Sequence, residues 1–121
     1  PLIREIIANK FEMFGFKVLE AENGKVALDT ISKTPELDAV ITDLKMPVMD
    51  GKTLIKNIKA KYPHLFLYAC SGYSGQKSIE LSTRRLGIQG FLPKPIEHEH
   101  FEILMIELQQ FIQNKISRHV D

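Results

Sequence analysis

Several features that mark specialised proteins are scarce or missing in this sequence. The single cysteine, Cys70, excludes an internal disulfide framework and a zinc site built from cysteines. No apolar run approaches the ~20 residues of a membrane-spanning helix, and the chain has no signal-like start. The formal net charge is only +1, so there is no global attraction to nucleic acid or acidic membranes. We therefore expect a cytoplasmic protein that binds neither nucleic acid nor membrane directly.

What is present is the composition of an ordinary globular domain. Hydrophobic residues make up 44% of the 121 residues, and charged residues make up 26%. A chain of this length is enough for one domain with a single core. We therefore expect residues 1–121 to form one domain.

Segments with the period of a helix alternate along the chain with short apolar segments that are typical of strands. The predicted strands are residues 16–21, 38–43, 65–70 and 88–92. The predicted helices are residues 2–14, 25–33, 51–62, 76–86 and 97–118, and Asp50 can cap the third of them. This alternation predicts an α/β fold with a parallel sheet covered on both faces. The chain begins with a helix, whereas a doubly wound sheet normally begins with a strand.

Three chemically useful side chains lie at the carboxyl ends of predicted strands. They are Asp43, Ser71 and Lys94. Because the carboxyl ends of parallel strands meet at one edge of the sheet, we expect these side chains to converge. A carboxylate nucleophile beside an ammonium and a hydroxyl that stabilise phosphoryl oxygens makes a workable phosphoryl-transfer site.

The motifs around these residues are specific when taken together. They are Lys45-Met46-Pro47-Val48-Met49-Asp50-Gly51, Ser71-Gly72 and Phe91-Leu92-Pro93-Lys94-Pro95. With them the chain resembles a response-regulator receiver domain of two-component signalling, a member of the CheY-like superfamily. The resemblance covers nearly the whole chain and includes Asn23-Gly24 at the start of the second helix. It implies a flavodoxin-like doubly wound parallel sheet with strand order 2-1-3-4-5.

The resemblance also implies a role for each site residue. Asp43 would accept a phosphoryl group from a histidine kinase or phosphotransfer protein, Lys94 would pair with the phosphorylated residue, and Ser71 would bond a phosphoryl oxygen. Phe91 would be an aromatic switch. Asp43 and the backbone carbonyl of Lys45 would bind Mg²⁺, and a cis peptide bond would join Lys94 to Pro95. Such a domain is a phosphoprotein switch rather than an enzyme. It signals through its fourth helix, fifth strand and fifth helix.

The sequence departs from the family at its beginning. The family's first strand ends in a pair of acids that hold Mg²⁺, and both would lie upstream of Pro1. Mg²⁺ prefers six oxygen ligands with carboxylates among them, so we expect it to bind only together with those acids. The absent strand is the central one, and its loss would leave buried backbone groups unpaired. We therefore expect the receiver to be incomplete at its N-terminus, or else truncated with the gap filled by another chain.

Several alternatives stay open. A pseudo-receiver that acts as an adaptor without phosphorylation is the alternative function, whereas a flavin or nucleotide domain is disfavoured because no Gly-rich loop follows a strand. Phe91 could equally be an ordinary core residue. The apolar face of the last helix, which includes Ile116, extends beyond the length needed to cover the sheet. Residues 111–121 could therefore pair with a second copy, lead to an output domain or simply pack on the sheet.

Overall fold

The structure is a computed structural model, and it describes residues 2–44, 48–71, 77–94 and 96–120. Its elements in chain order are α1 (Leu2–Met13), α2 (Gly24–Ser32), β1 (Ala39–Asp43), α3 (Gly51–Lys61), β2 (Phe66–Ser71), α4 (Lys77–Arg84), β3 (Gly90–Pro93) and α5 (His98–Val120). The strands form a parallel sheet in the order β1-β2-β3. This α/β architecture confirms the predicted fold class, and it brings the carboxyl ends of the three strands to one edge.

β2 is the middle strand of the described sheet, and apolar layers cover both of its faces. Phe66, Tyr68 and Cys70 point into a first core cluster, and Leu67 and Ala69 point into a second. The first cluster is completed by residues of α1, β3 and α5: Phe11, Leu92, Phe101, Leu104, Met105 and Leu108. The second is completed by residues of α2, of α3 and of the segments beside the strands: Ile31, Leu44, Leu54, Ile55, Ile58 and Leu65. The helices therefore lie on both faces of the sheet, as the sequence predicts.

One predicted strand is not formed. Residues 16–21 have no strand pairing, although Phe16 and Val18 pack against the first core cluster. In the predicted strand order this segment pairs only with the family's first strand, and no strand precedes α1 in the described residues, so the backbone of residues 16–21 lacks a ladder partner. The same gap explains why residues 39–41 are half-buried rather than buried, because β1 is an edge of the described sheet.

The long helix α5 packs on the sheet for most of its length. The ring of Phe111 lies 5.4 Å from that of Phe66, and Lys115 Nζ donates to Asp38 Oδ1 at 3.1 Å. Ile116, predicted to face inward, is 51% exposed, because the helix has passed the end of the sheet at that point. A paired copy or an output domain beyond residue 111 stays a prediction.

Asp50 caps α3, as its position before Gly51 predicts. Its extended backbone lets the side-chain Oδ1 accept a hydrogen bond from the backbone N–H of Thr53 at 2.8 Å. This bond is the main reason that the pKa of the Asp50 carboxyl is held below its ordinary value of 3.8. The cap fixes the start of the helix that follows the Asp43 strand.

Replacing Asp50 with alanine is expected to lower the free energy of unfolding by about 1 kcal/mol at neutral pH. Because the pKa of Asp50 is lower in the folded state, its contribution is present above pH 3.8 and is lost as the pH falls through the folded value. Denaturant titrations across that range measure the effect. Asp50→Asn is the matched control, because asparagine caps a helix but does not titrate. It should keep most of the stability, and a pH dependence equal to that of the wild type would contradict the account.

Tyr68 connects β2 with α5 through its hydroxyl. Its ring passes over Gly90, where an added β-carbon would stand 2.8 Å from Tyr68 Cζ, and its hydroxyl bonds to Glu107. Burial is the main cause that raises the pKa of Tyr68 to about 12, and the charge and hydrogen bond of Glu107 add to it. The phenol is therefore a neutral group within the core at physiological pH.

The free energy of unfolding should fall between pH 10 and about pH 12 because of Tyr68. The folded state holds this proton more tightly than the unfolded state, whose pKa is near 10.0, so rising pH favours unfolding. Tyrosinate absorbance should show one tyrosine that ionises late, and Tyr68→Phe should remove that step. A wild-type titration without a late step would contradict the assignment.

Candidate functional site

Asp43 and Lys94 meet at the carboxyl edge of the sheet. Asp43 ends β1 and is in register with Cys70. Ser71 ends β2 and is in register with Pro93, so Lys94 follows directly after that pair. The Lys94 ammonium donates a hydrogen bond to Asp43 Oδ2 and forms an ion pair with it. Residues 51 positions apart in the chain are thus in contact, while the side chain of Ser71 lies outside the described residues.

The ion pair lies at the boundary between core and solvent. The side chain of Lys94 is 19% exposed and that of Asp43 is 38% exposed, so a phosphoryl donor can approach the carboxylate. Partial burial strengthens the attraction between the charges relative to water. An anion added to Asp43 would therefore be held next to an ammonium that is already in place.

Cys70 lies beside Asp43 but does not compete with it as a nucleophile. Burial, followed by the negative charge of Asp43, raises the pKa of the Cys70 thiol to about 11, although Lys94 acts in the opposite direction. A thiol with this pKa is almost fully protonated at physiological pH, and the thiolate is the reactive form. At physiological pH the Cys70 thiol is therefore a poorer nucleophile than a carboxylate at this edge.

The start of α3 packs against the backbone of Asp43. The backbone N–H of Gly51 donates to the Leu44 carbonyl at 3.1 Å, and an added β-carbon on Gly51 would stand 2.1 Å from the Asp43 carbonyl oxygen. Only glycine permits this approach. Val48, three residues before Gly51, has φ +71° and is 77% exposed. A β-branched residue in that conformation costs ~1–3 kcal/mol, so the backbone is strained at Val48.

Comparison with known proteins identifies the family. The sequence model of one protein family, described as the response regulator receiver domain, matches residues 1–105. The chain belongs to this family.

Individual relatives agree with this assignment. The chain is 31% identical over 96 residues to a chemotaxis protein CheY homolog of Campylobacter jejuni, covering 77% of this chain and 73% of that protein. The solved receiver (REC) domain of the response regulator AraT from Geobacillus stearothermophilus has a TM-score of 0.84 at 28% identity, covering 94% of this chain and 89% of that one. A response regulator receiver domain from Clostridium thermocellum has a TM-score of 0.82 at 27% identity, with coverages of 94% and 88%.

The receiver domain is only part of some relatives. The chain spans 29% of a cyclic di-GMP phosphodiesterase from Thermotoga maritima, to which it is 25% identical over 95% of its own length. It spans 13% of the sensor protein TorS of Escherichia coli, at 27% identity over 99% of this chain. The chain thus matches only a part of proteins that carry different names.

Phe91 lies on β3 next to the site of this receiver domain. It is half-buried and packs against the second core cluster, and the Arg84 guanidinium carbon lies 4.8 Å from its ring centroid. A cation over an aromatic face is attracted to the ring. The ring therefore joins β3 to the end of α4, and its role as a switch stays a prediction.

The described residues of the receiver domain do not form a complete magnesium site. No group of three or more His, Cys, Asp or Glu side chains gathers among them. Asp43 supplies one carboxylate, and that group pairs with Lys94. The Lys45 carbonyl and the Lys94-Pro95 peptide bond lie outside the described residues. Because Mg²⁺ needs more oxygen ligands than one carboxylate, the described residues do not by themselves fit the metal.

Within the described ranges, no helix combines the length and the apolar character needed to cross a bilayer.

Proposed function

We propose that Asp43 accepts a phosphoryl group from a phosphohistidine of a histidine kinase or a phosphotransfer protein. An oxygen of Asp43 attacks phosphorus while the bond from phosphorus to the histidine nitrogen breaks, and its electron pair leaves with the imidazole. The product is an acyl phosphate on Asp43. The contact between the Lys94 ammonium and the Asp43 carboxylate carries this proposal, because it holds a positive charge next to the position that the phosphoryl oxygens would occupy.

The proposed output is a change in the surface formed by α4, β3 and α5. Phosphorylation adds about −1.5 to −2 charge beside Lys94 and new oxygen atoms that accept hydrogen bonds. The Ser71 hydroxyl would donate one of these bonds. Phe91 links the site to this surface, because it lies on β3, pairs with Ala69 of β2 and contacts Arg84 of α4. On this surface a groove of about 400 Å³ lies between Gln89 and α5, and Ile106 at its rim is 64% exposed. We propose that a second receiver or an output domain binds there.

Phosphorylation of the full-length protein by a small donor tests the assignment. Acetyl phosphate and Mg²⁺ should raise the intact mass by one phosphoryl group, and Asp43→Asn should abolish the increase. Asp38→Asn is the matched control, because Asp38 precedes the same strand at its opposite end and pairs with Lys115. A mass increase that persists in Asp43→Asn would place the phosphoryl group elsewhere and refute the proposal.

A phosphorylation-independent adaptor is the second candidate function. The observation in its favour is that the described part of the chain gathers no metal-binding cluster. In this case neither acetyl phosphate nor a kinase would modify the full-length protein, and Asp43→Asn would bind its partner with unchanged affinity. Loss of the partner's response in Asp43→Asn would exclude the adaptor.

A further inference from the structure

Positive charge is concentrated on one helix of this nearly neutral protein. Residues 51–79 contain no aspartate or glutamate, and α3 carries four lysines. Lys52, Lys56 and Lys59 are spaced by four and three residues, so they share one face of the helix. The buried face of α3 is separate and is made of Leu54, Ile55 and Ile58. We call Lys52, Lys56 and Lys59 the lysine ridge; Lys61 lies on the other side of the buried face.

The lysine ridge is only partly balanced within the domain. The Asp50 carboxylate, at the start of α3, attracts Lys52 and Lys56. In the described parts of the chain none of the three ridge lysines takes part in an ion pair, in contrast to Lys33, Lys94 and Lys115. The ridge also approaches the end of α4. The Nζ atom of Lys59 lies 3.4 Å from where a β-carbon on Gly87 would stand. Gly87 follows the exposed Arg85 by two residues. The positive surface thus extends from α3 toward the turn after α4.

The arrangement is unfavourable for the isolated domain. Like charges three and four residues apart on a helix repel each other, as Lys52, Lys56 and Lys59 do. A lysine in the first turn, such as Lys52, also opposes the positive end of the helix dipole. The core does not require these charges, because they lie away from the buried face. A bound anionic partner would relieve the repulsion.

We propose that the lysine ridge is a docking surface for an acidic protein segment, with carboxylates spaced along one face of a helix. The ridge spans about 10 Å along α3, at 1.5 Å per residue, which a short helical segment with carboxylates three and four residues apart would match. The whole chain has a net charge of +1 and an isoelectric point near 8.4, below the values above ~9 that are typical of nucleic-acid-binding domains. The ridge begins next to Gly51, which packs on the Asp43 backbone, but the docking uses lysine charges that are present without a phosphoryl group, so it is tested on unphosphorylated protein.

Poly-L-glutamate is a suitable probe, with a DNA duplex of equal charge as the comparison. The triple variant Lys52→Glu/Lys56→Glu/Lys59→Glu should weaken binding of poly-L-glutamate to the full-length protein about tenfold or more. The control Lys17→Glu/Lys25→Glu/Lys33→Glu changes the net charge equally at exposed positions and should retain binding within about twofold. Asp43→Asn should bind as the wild type does, which separates this test from that of the phosphoacceptor.

Three outcomes would overturn the proposal. Equal losses of poly-L-glutamate binding in the two triple variants would show that the probe responds only to the net charge of the protein. Tighter binding of the DNA duplex through the same lysines would assign the ridge to nucleic acid. Salt-sensitive self-association that disappears in the ridge variant would assign it to a second copy, and sedimentation of the free protein detects this case.

A stability measurement keeps the proposal testable if a triple variant folds poorly. Lys52→Glu alone should raise the Tm of the free protein by about 1–4 °C, because glutamate suits the first turn and can pair with Lys56. The same change should weaken the binding of poly-L-glutamate. A fall in Tm would show that Lys52 supports the fold, and the docking role would then be rejected.

Discussion

Lys94→Met is expected to slow phosphorylation of Asp43 by acetyl phosphate ~10²–10³-fold, the usual cost of removing one preorganised charge-stabilising donor. Methionine retains the length of the side chain but lacks the ammonium that contacts Asp43 Oδ2. The remaining carboxylate would face the incoming phosphoryl oxygens without a neighbouring positive charge. The rate of mass increase in the full-length protein measures this effect.

Two controls separate the charge of Lys94 from its packing. Lys94→Arg keeps a positive charge but presents a planar guanidinium, so it should recover part of the rate. Lys33→Met removes an exposed lysine that pairs with Asp29 on α2, and it should leave the rate unchanged. Circular dichroism should show that all three variants are folded. A Lys94→Met protein that is phosphorylated at the wild-type rate would remove Lys94 from the site.

Gly51→Ala is expected to lower the free energy of unfolding by about 1–3 kcal/mol or more, as overpacking of rigid atoms does. The new β-carbon would stand 2.1 Å from the Asp43 carbonyl oxygen and 2.7 Å from Leu44 Cα. Both are backbone atoms, so α3 and β1 would have to move apart. We therefore also expect slower phosphorylation, because Asp43 would shift relative to Lys94.

Gly24→Ala is the matched control for this substitution. Gly24 is likewise the buried first residue of a helix, and an added β-carbon would stand 2.9 Å from Met49 Cβ. The nearest atom, Met49 Cβ, is fixed by the Met49 backbone, whereas Cγ and Sδ at 3.0 Å can rotate away. Denaturant titrations should therefore show a smaller loss than for Gly51→Ala, because the overlap is smaller and alanine also favours the helix. Equal losses in both variants would contradict the steric account of Gly51.

The sequence predicted the parts of the fold that depend on local pattern. Asp50 caps α3 as expected, since its side chain and the N–H of Thr53 are three residues apart. The meeting of Asp43 and Lys94 was also predictable, because all parallel strands end at one edge of the sheet. The cap requires only the local spacing of residues, and the meeting of Asp43 with Lys94 requires only the order of strands and helices.

Other features depend on neighbours that a local pattern does not reveal. Residues 16–21 have the composition of a strand, but a strand forms only when another backbone pairs with it. Ile116 continues the apolar face of α5 past the point where the sheet can cover it. The close approach of Gly51 depends on how the start of α3 packs against Asp43 and Leu44, whereas the Asp-Gly pair in the sequence signals only the cap. The left-handed conformation of Val48 has no signal in the sequence.

Locating the phosphoryl group tests the phosphoacceptor assignment most directly. Full-length protein would be phosphorylated with acetyl phosphate and Mg²⁺ and then treated with borohydride, which reduces an acyl phosphate to an alcohol and so converts a phosphorylated aspartate to homoserine. Peptide mass spectrometry then identifies the residue. We predict homoserine at position 43 and unchanged Asp38 and Asp50. Homoserine at another position, or none in protein that has gained a phosphoryl group, would contradict the assignment.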